Sequence, residues 1–142
     1  MIQFFSETAF ELQDQVFFND WLHACVDTYG YEIGNINYIF CDDEYLLKIN
    51  QEHLQHDYFT DIITFDYTEG KELHGDIFIS IDRIADNAYD YETSFDNEIA
   101  RVMIHGLLHM MGFKDKTPEE QELMRKKEDE SLTLLYSNNE EE

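Results

Sequence analysis

Asp96-Asn97-Glu98-Ile99-Ala100-Arg101-Val102-Met103-Ile104-His105-Gly106-Leu107-Leu108-His109-Met110-Met111 is the stretch that decides the fold. Ile99, Val102, Met103, Ile104, Leu107, Leu108, Met110 and Met111 leave it almost no polar face, the pattern of a central helix buried nearly all round. His105 and His109 interrupt that pattern four positions apart. At about 100° per residue they differ by roughly 40° around the axis and lie one turn apart. Two imidazoles so placed can grip one ion from a rigid platform. Gly112 permits the positive φ that ends a helix and turns the chain back. Asp115 can then re-enter the same space as a third ligand. Two nitrogens and one oxygen leave a tetrahedral position open, as catalytic zinc requires. His105, His109 and Asp115 are therefore the expected metal ligands, and zinc the expected ion, with another divalent metal as the alternative.

Outward from this helix, the chain alternates between strand and helix patterns. Ile2 to Phe5 reads as a short strand, and Phe10, Val16, Phe17, Trp21, Leu22 and Val26 recur at helical spacing within a helix expected over 11–29. Ile36 to Phe40 is rich in β-formers. Asp42 or Asp43 caps a short helix through Tyr45, Leu46, Ile49 and Asn50. Asp61 to Tyr67 and His74 to Ser80 read as a hairpin around the turn Thr68-Glu69-Gly70-Lys71. Helices follow over 81–91 and 96–111. Thr117-Pro118-Glu119-Glu120 opens the last one, with threonine at the N-cap, proline at the first helical position and Glu120 closing a capping box. The predicted class is α/β (α+β): a small mixed sheet packed against several helices, with the metal site on a central helix and the turn after it.

A chain of 142 residues with 43% hydrophobic and 15% aromatic content suits one domain, assigned to residues 1–137, followed by a short acidic tail over 138–142. The formal net charge of -23 repels nucleic acid at long range, so any RNA contact needs a metal or a local patch among nine basic residues. Arg101, Lys114 and Lys116 lie near the proposed site in sequence, and Arg125, Lys126 and Lys127 form a second group. Solvated helix faces are the simpler account of both. Cys25 and Cys41 show no metal spacing and read as buried reduced thiols. No signal peptide or membrane span is recognisable, which points to a cytoplasmic protein.

Other residues admit two readings each. Gly106 stands where zinc proteases carry a general-base glutamate, which argues against peptide hydrolysis; it also suits close packing of another segment. Glu98, seven residues before His105, either orients a ligating imidazole or complements the helix dipole in the first turn, and the dipole reading is favoured. Asp76 is either catalytic or bonded to backbone amides in a turn. His23, His53, His56 and His74 show no ligand pattern and are read as surface or network residues. No general base is identified.

At these residues the sequence resembles the YbeY family of metal-dependent endoribonucleases, whose signature helix reads H-G-x-L-H-L-x-G-Y-x-H. Here the matching run is His105-Gly106-Leu107-Leu108-His109-Met110-Met111-Gly112-Phe113-Lys114-Asp115. Asn50 followed by Thr60-Asp61-Ile62-Ile63-Thr64-Phe65 resembles the family's N…T-[DN]-V-L-S-F, and Gly75-Asp76-Ile77-Phe78-Ile79-Ser80 resembles its G-D-I-x-I-S strand. The resemblance implies single-strand-specific RNA cleavage in ribosomal RNA maturation, at the 3′ end of the small-subunit RNA. Its implied partner is ribosomal RNA or the small ribosomal subunit, not DNA or a membrane. Phe113, Tyr58 and Phe59 are candidates to stack on bases, with core packing the simpler role for each.

Two positions depart from the family pattern. Asp115 replaces the usual third histidine; a carboxylate binds zinc but lowers the ion's Lewis acidity and favours harder metals. Leu54 stands where the family carries an arginine, and leucine cannot hold a phosphate. Either Arg101 or Arg83 takes that role or activity is weak. The competing readings are a ribosome-associated binding protein with a structural metal, and a metallohydrolase acting on a non-RNA substrate.

Overall fold

A computed structural model describes residues 1–140, with side chains through residue 136. The elements are β1 (Ile2–Ser6), α1 (Gln15–Thr28), β2 (Glu32–Cys41), α2 (Asp43–Leu54), β3 (Ile62–Asp66), β4 (Glu72–Ser80), α3 (Ile81–Asp90), α4 (Phe95–Met110) and α5 (Pro118–Glu140). Four strands form one mixed sheet in the order β1-β2-β4-β3. β1 and β4 each run parallel to β2, and the β3–β4 hairpin adds the antiparallel edge. This is the α/β architecture expected from the sequence.

Strand alternation sorts the side chains onto two faces. Ile36, Tyr38 and Phe40 of β2 join Ile77 and Ile79 of β4 in the main core with α1, α4 and α5. Phe78, Ile63 and Phe65 point the other way, into a smaller cluster with Leu46 and Ile49 of α2. α4 lies within the larger core, where Glu98 through Ala100, Val102 through Ile104, Gly106 through Leu108 and Met110 are all buried. Two hydrogen bonds fix its surroundings: Tyr38 Oη donates to the Met103 carbonyl at 2.9 Å, and Trp21 Nε1 donates to the Ser131 carbonyl at 2.8 Å.

Local chemistry explains most boundaries. Asp42, Ser80 and Ser94 cap α2, α3 and α4 through their side-chain oxygens. The capping box of α5 forms in both directions, with Glu120 N–H donating to Thr117 Oγ1 at 3.1 Å and Thr117 N–H to Glu120 Oε1 at 3.0 Å. α1 starts later than its periodicity suggests. Asp14 sits in the left-handed region at φ 55°, while buried Leu12 anchors the preceding loop from outside the helix. β2 starts earlier than expected, because a register shift between Ile33 and Ile36 absorbs Gly34. The expected acidic tail falls partly on α5, whose backbone runs to Glu140; 141–142 lie outside the described residues. Cys25 and Cys41 are both free and buried, and burial pushes each thiol up to about 12. Among the described residues no helix is long and apolar enough to cross a membrane.

The seam between hairpin and central helix tolerates no added atom at Gly75, where a Cβ would lie 2.4 Å from the Phe65 carbonyl oxygen and 2.9 Å from Met110 Cε. Gly75→Ala should destabilise the protein by about 2 kcal/mol or more in urea unfolding, because backbone must move to admit it.

Candidate metal centre

His105 and His109 project from the C-terminal half of α4 with ring centroids 4.6 Å apart and nearly perpendicular planes. Gly112 takes φ 99°, and the chain turns back to bring Asp115 between them. Asp115 Oδ2 lies 3.3 Å from His105 Nε2 and 3.1 Å from His109 Nε2. One ligand atom from each residue falls within 4.8 Å of the others, so the group could hold a metal ion. Ligands on a tetrahedron around zinc stand about 3.3 Å apart, close to the two distances from Asp115.

Hydrogen bonding at the far side of each ring sharpens this. His109 Nδ1 lies 3.0 Å from the Phe113 carbonyl oxygen, which can only accept. Nδ1 therefore carries the proton, and a neutral ring turns a bare lone pair at Nε2 toward Asp115. His105 Nδ1 lies 2.6 Å from Glu128 Oε2 and is fixed in the same tautomer when Glu128 is ionised. When both rings are neutral, two lone pairs face one carboxylate oxygen. Neutral rings make that arrangement repulsive, and a cation among the three atoms makes it attractive. The donor set thus fits a divalent ion. Burial opposes charging of His105, but the hydrogen bond and charge of Glu128, with Asp115 and Asp61, raise its pKa above the ordinary histidine value.

The carboxylate that orients His105 is Glu128 on α5, not Glu98. Glu98 lies in the first turn of α4, as the dipole reading expects, but it is buried. Glu128 was legible as a charge at a core position, since Met124, Leu132 and Leu135 on the same stripe are all buried. Its other oxygen accepts from Arg101 at 2.9 Å, and Arg101 also bonds Asp129 at 2.8 Å.

An open cavity of about 440 Å³ meets the cluster. Leu54, His56, Tyr58, Asp61, Thr64 and Asp66 contribute to its walls. A neighbouring recess of about 280 Å³ shares Asp61, His105 and Asp115 with it and adds Arg101 and Arg125. Burial pushes the Asp61 carboxyl above its ordinary range, against the lowering influence of His105. Neither arginine suggested for the missing family residue is free, because Arg101 is bound as above and Arg83 pairs with Asp43 and Asp86. Asp76 is neither in a turn nor on the cavity; it accepts from Asn37 Nδ2 at 3.0 Å across the β2–β4 pair. His74 is a network residue, held by the Asn35 N–H and Glu72. His56, read from the sequence as a surface or network residue, lines the cavity.

Fold and cluster together define a small α/β protein with a His–His–Asp centre in an open cavity. The chain belongs to the endoribonuclease YbeY family, whose profile, described as "Endoribonuclease YbeY", it matches over residues 3–136. It is 53% identical over 136 residues to the endoribonuclease YbeY of Flavobacterium johnsoniae, covering 96% of this chain and 98% of that protein. It is 51% identical over 135 residues to that of Cytophaga hutchinsonii, covering 94% of each. The solution structure of TM1509 from Thermotoga maritima superposes with a TM-score of 0.65 at 24% identity, covering 100% of this chain and 96% of that one, which shows the shared fold.

Burial raises the pKa of Glu98; Arg101 opposes the rise and Asp61 adds to it. The native form then holds the proton more tightly than the unfolded chain. Stability is full below the ordinary glutamate pKa and declines as pH rises through the raised native value. Metal-free Glu98→Gln should match wild type near about pH 4 and exceed it at about pH 8 in urea unfolding.

Proposed function

We propose that this chain is a metal-dependent, single-strand-specific endoribonuclease of ribosomal RNA maturation, acting late at the 3′ end of the small-subunit RNA. Residues 1–137 form one domain in this reading, and the protein works in the cytoplasm on ribosomal RNA or the small subunit. The observation that carries it is the His105–His109–Asp115 cluster in an open cavity, on a chain that shares about half its residues with named endoribonucleases.

His105, His109 and Asp115 would hold the ion, zinc or a harder divalent metal. Such an ion supplies Lewis acidity toward a phosphoryl oxygen. The residues supply orientation. Glu128 and the Phe113 carbonyl hold both imidazoles with Nε2 turned inward. Asp61, whose carboxyl is pushed above its ordinary range beside the cluster, is placed to hold a proton near the cavity. Arg125 lines the adjoining recess, is exposed, and makes no ion pair among the described residues; its guanidinium lies 6.0 Å from the Tyr91 ring centre. It is the cation best placed to meet a phosphate in place of the family arginine at Leu54.

Purified protein should cleave a ribosomal RNA precursor fragment. His109→Ala or a chelator should abolish the cleavage, which also controls for contaminating ribonuclease. Equal cleavage by wild type and variant would defeat the reading. Leu54 on the cavity wall favours the alternative of a ribosome-bound protein with a structural ion. Binding to small subunits without cleavage, with unfolding of His109→Ala, would establish that alternative.

Arg125→Ala should lower kcat/KM roughly tenfold. It should also flatten the log–log salt dependence by about 0.7, the loss of one phosphate contact on a single strand.

A further inference from the structure

Resting on the ribonuclease reading, we infer that His56 and Tyr58 form a nucleobase-binding subsite, on which a base of the RNA strand stacks beside the metal centre.

Both residues belong to the loop between α2 and β3, and both line the cavity that contains His105, His109 and Asp115. Their rings are stacked, with centroids 5.2 Å apart and planes inclined by 21°. The Tyr58 hydroxyl lies 3.0 Å from His56 Nδ1. Tyr58 is nonetheless 57% exposed. An aromatic ring stacked on one side and open elsewhere is a surface that any base can cover.

The loop is held before any ligand arrives. Asn50, 1% exposed, grips it twice: its side-chain Nδ2 donates to the Tyr58 carbonyl at 2.9 Å, and its carbonyl accepts from the His56 N–H at 3.1 Å. Gln51 adds a bond to Asp57 at 2.6 Å, and Gln55 turns the chain in the left-handed region at φ 56°. A platform ordered in advance spares the entropy that a free loop would lose on binding. Core packing, the simpler role for these aromatics, belongs instead to Phe113, which meets Tyr29 edge to face against the main cluster.

The charge on this side of the centre argues the same way. Among the described residues that line the cavity, none is lysine or arginine, while Asp61, Asp66 and Asp115 are all present. A wall of that composition cannot draw in a phosphate backbone by charge. Stacking on a neutral π-face is an attraction that such a wall can offer.

The test is equilibrium binding of a fluorophore-labelled, 2′-O-methylated single strand of mixed sequence, read by anisotropy. Wild type, Tyr58→Ala and Tyr58→Phe are compared across a salt series, with melting temperatures and precursor cleavage measured on the same preparations. Tyr58→Ala should bind roughly tenfold or more weakly, Tyr58→Phe within about twofold of wild type, and the salt slope should be the same for all three. Melting temperatures should agree, since the side chain is exposed. Tyr58→Ala binding like wild type, or Tyr58→Phe binding as weakly as Tyr58→Ala, would overturn the subsite. If wild type still cleaves in that case, the ribonuclease reading survives without it. A wild type that neither binds the strand nor cleaves would overturn both.

Discussion

The buried carboxylate of Glu128 is the contact on which the site and much of the helical layer depend. It is 5% exposed, and it bonds Arg101 with one oxygen and His105 with the other. A carboxylate in the interior is costly unless its lone pairs are satisfied, and losing one partner of a buried pair typically costs about 3–5 kcal/mol. α5 is therefore locked to α4 at the turn that presents the first imidazole. The same bond chooses the ring nitrogen that faces the cavity. Folding and site chemistry share one interaction, because the docking of α5 on α4 also fixes the first imidazole.

The approach of α4 to the sheet is the second constraint. A Cβ at Gly106 would lie 3.1 Å from Ile62 Cδ1 and 3.2 Å from Ile77 Cδ1. The glycine between the histidines thus faces the sheet, while His105 and His109 meet the cavity. A zinc-protease glutamate at this position would be driven into the β3–β4 seam. The sequence argument against peptide hydrolysis, made from a missing residue type, gains a steric basis. It is the close approach allowed by Gly106, and not a reserved catalytic position, that the helix uses.

Much of this was legible in the chain, for identifiable reasons. The periodicity of α4, the turn at Gly112 and the capping box at Thr117 are local, and local rules read them correctly. The late start of α1 was not legible, because Leu12 is buried by tertiary packing from outside the helix. Glu128 was readable as a charged residue on an apolar stripe, but its partner 23 positions away was not. Asp76 was misread because a glycine before it suggested a turn, whereas Gly75 is a close-packing residue in β4. His56 carried no spacing signal at all. It reaches the cavity through a loop whose shape is set by Asn50, and a single sequence records the asparagine without showing what it holds.

Asp115 changes the electrostatics that these parts must manage. Two neutral imidazoles, one carboxylate and a divalent ion sum to a single positive charge, and an ionised Asp61 would cancel it. A family member with a third histidine would keep the full double charge. On a chain of net charge -23, this centre gives an approaching phosphate little long-range attraction. Its field acts at contact distance, where the strand is already aligned. Alignment must then come from groups whose attraction does not depend on net charge, or from a single cation close by. The cavity supplies the first in its aromatic wall, and the neighbouring recess supplies the second in Arg125. In the proposed ribonuclease, an acidic protein acts on RNA because shape and stacking select the strand, and an ion held by His105, His109 and Asp115 would meet only the phosphate placed against it.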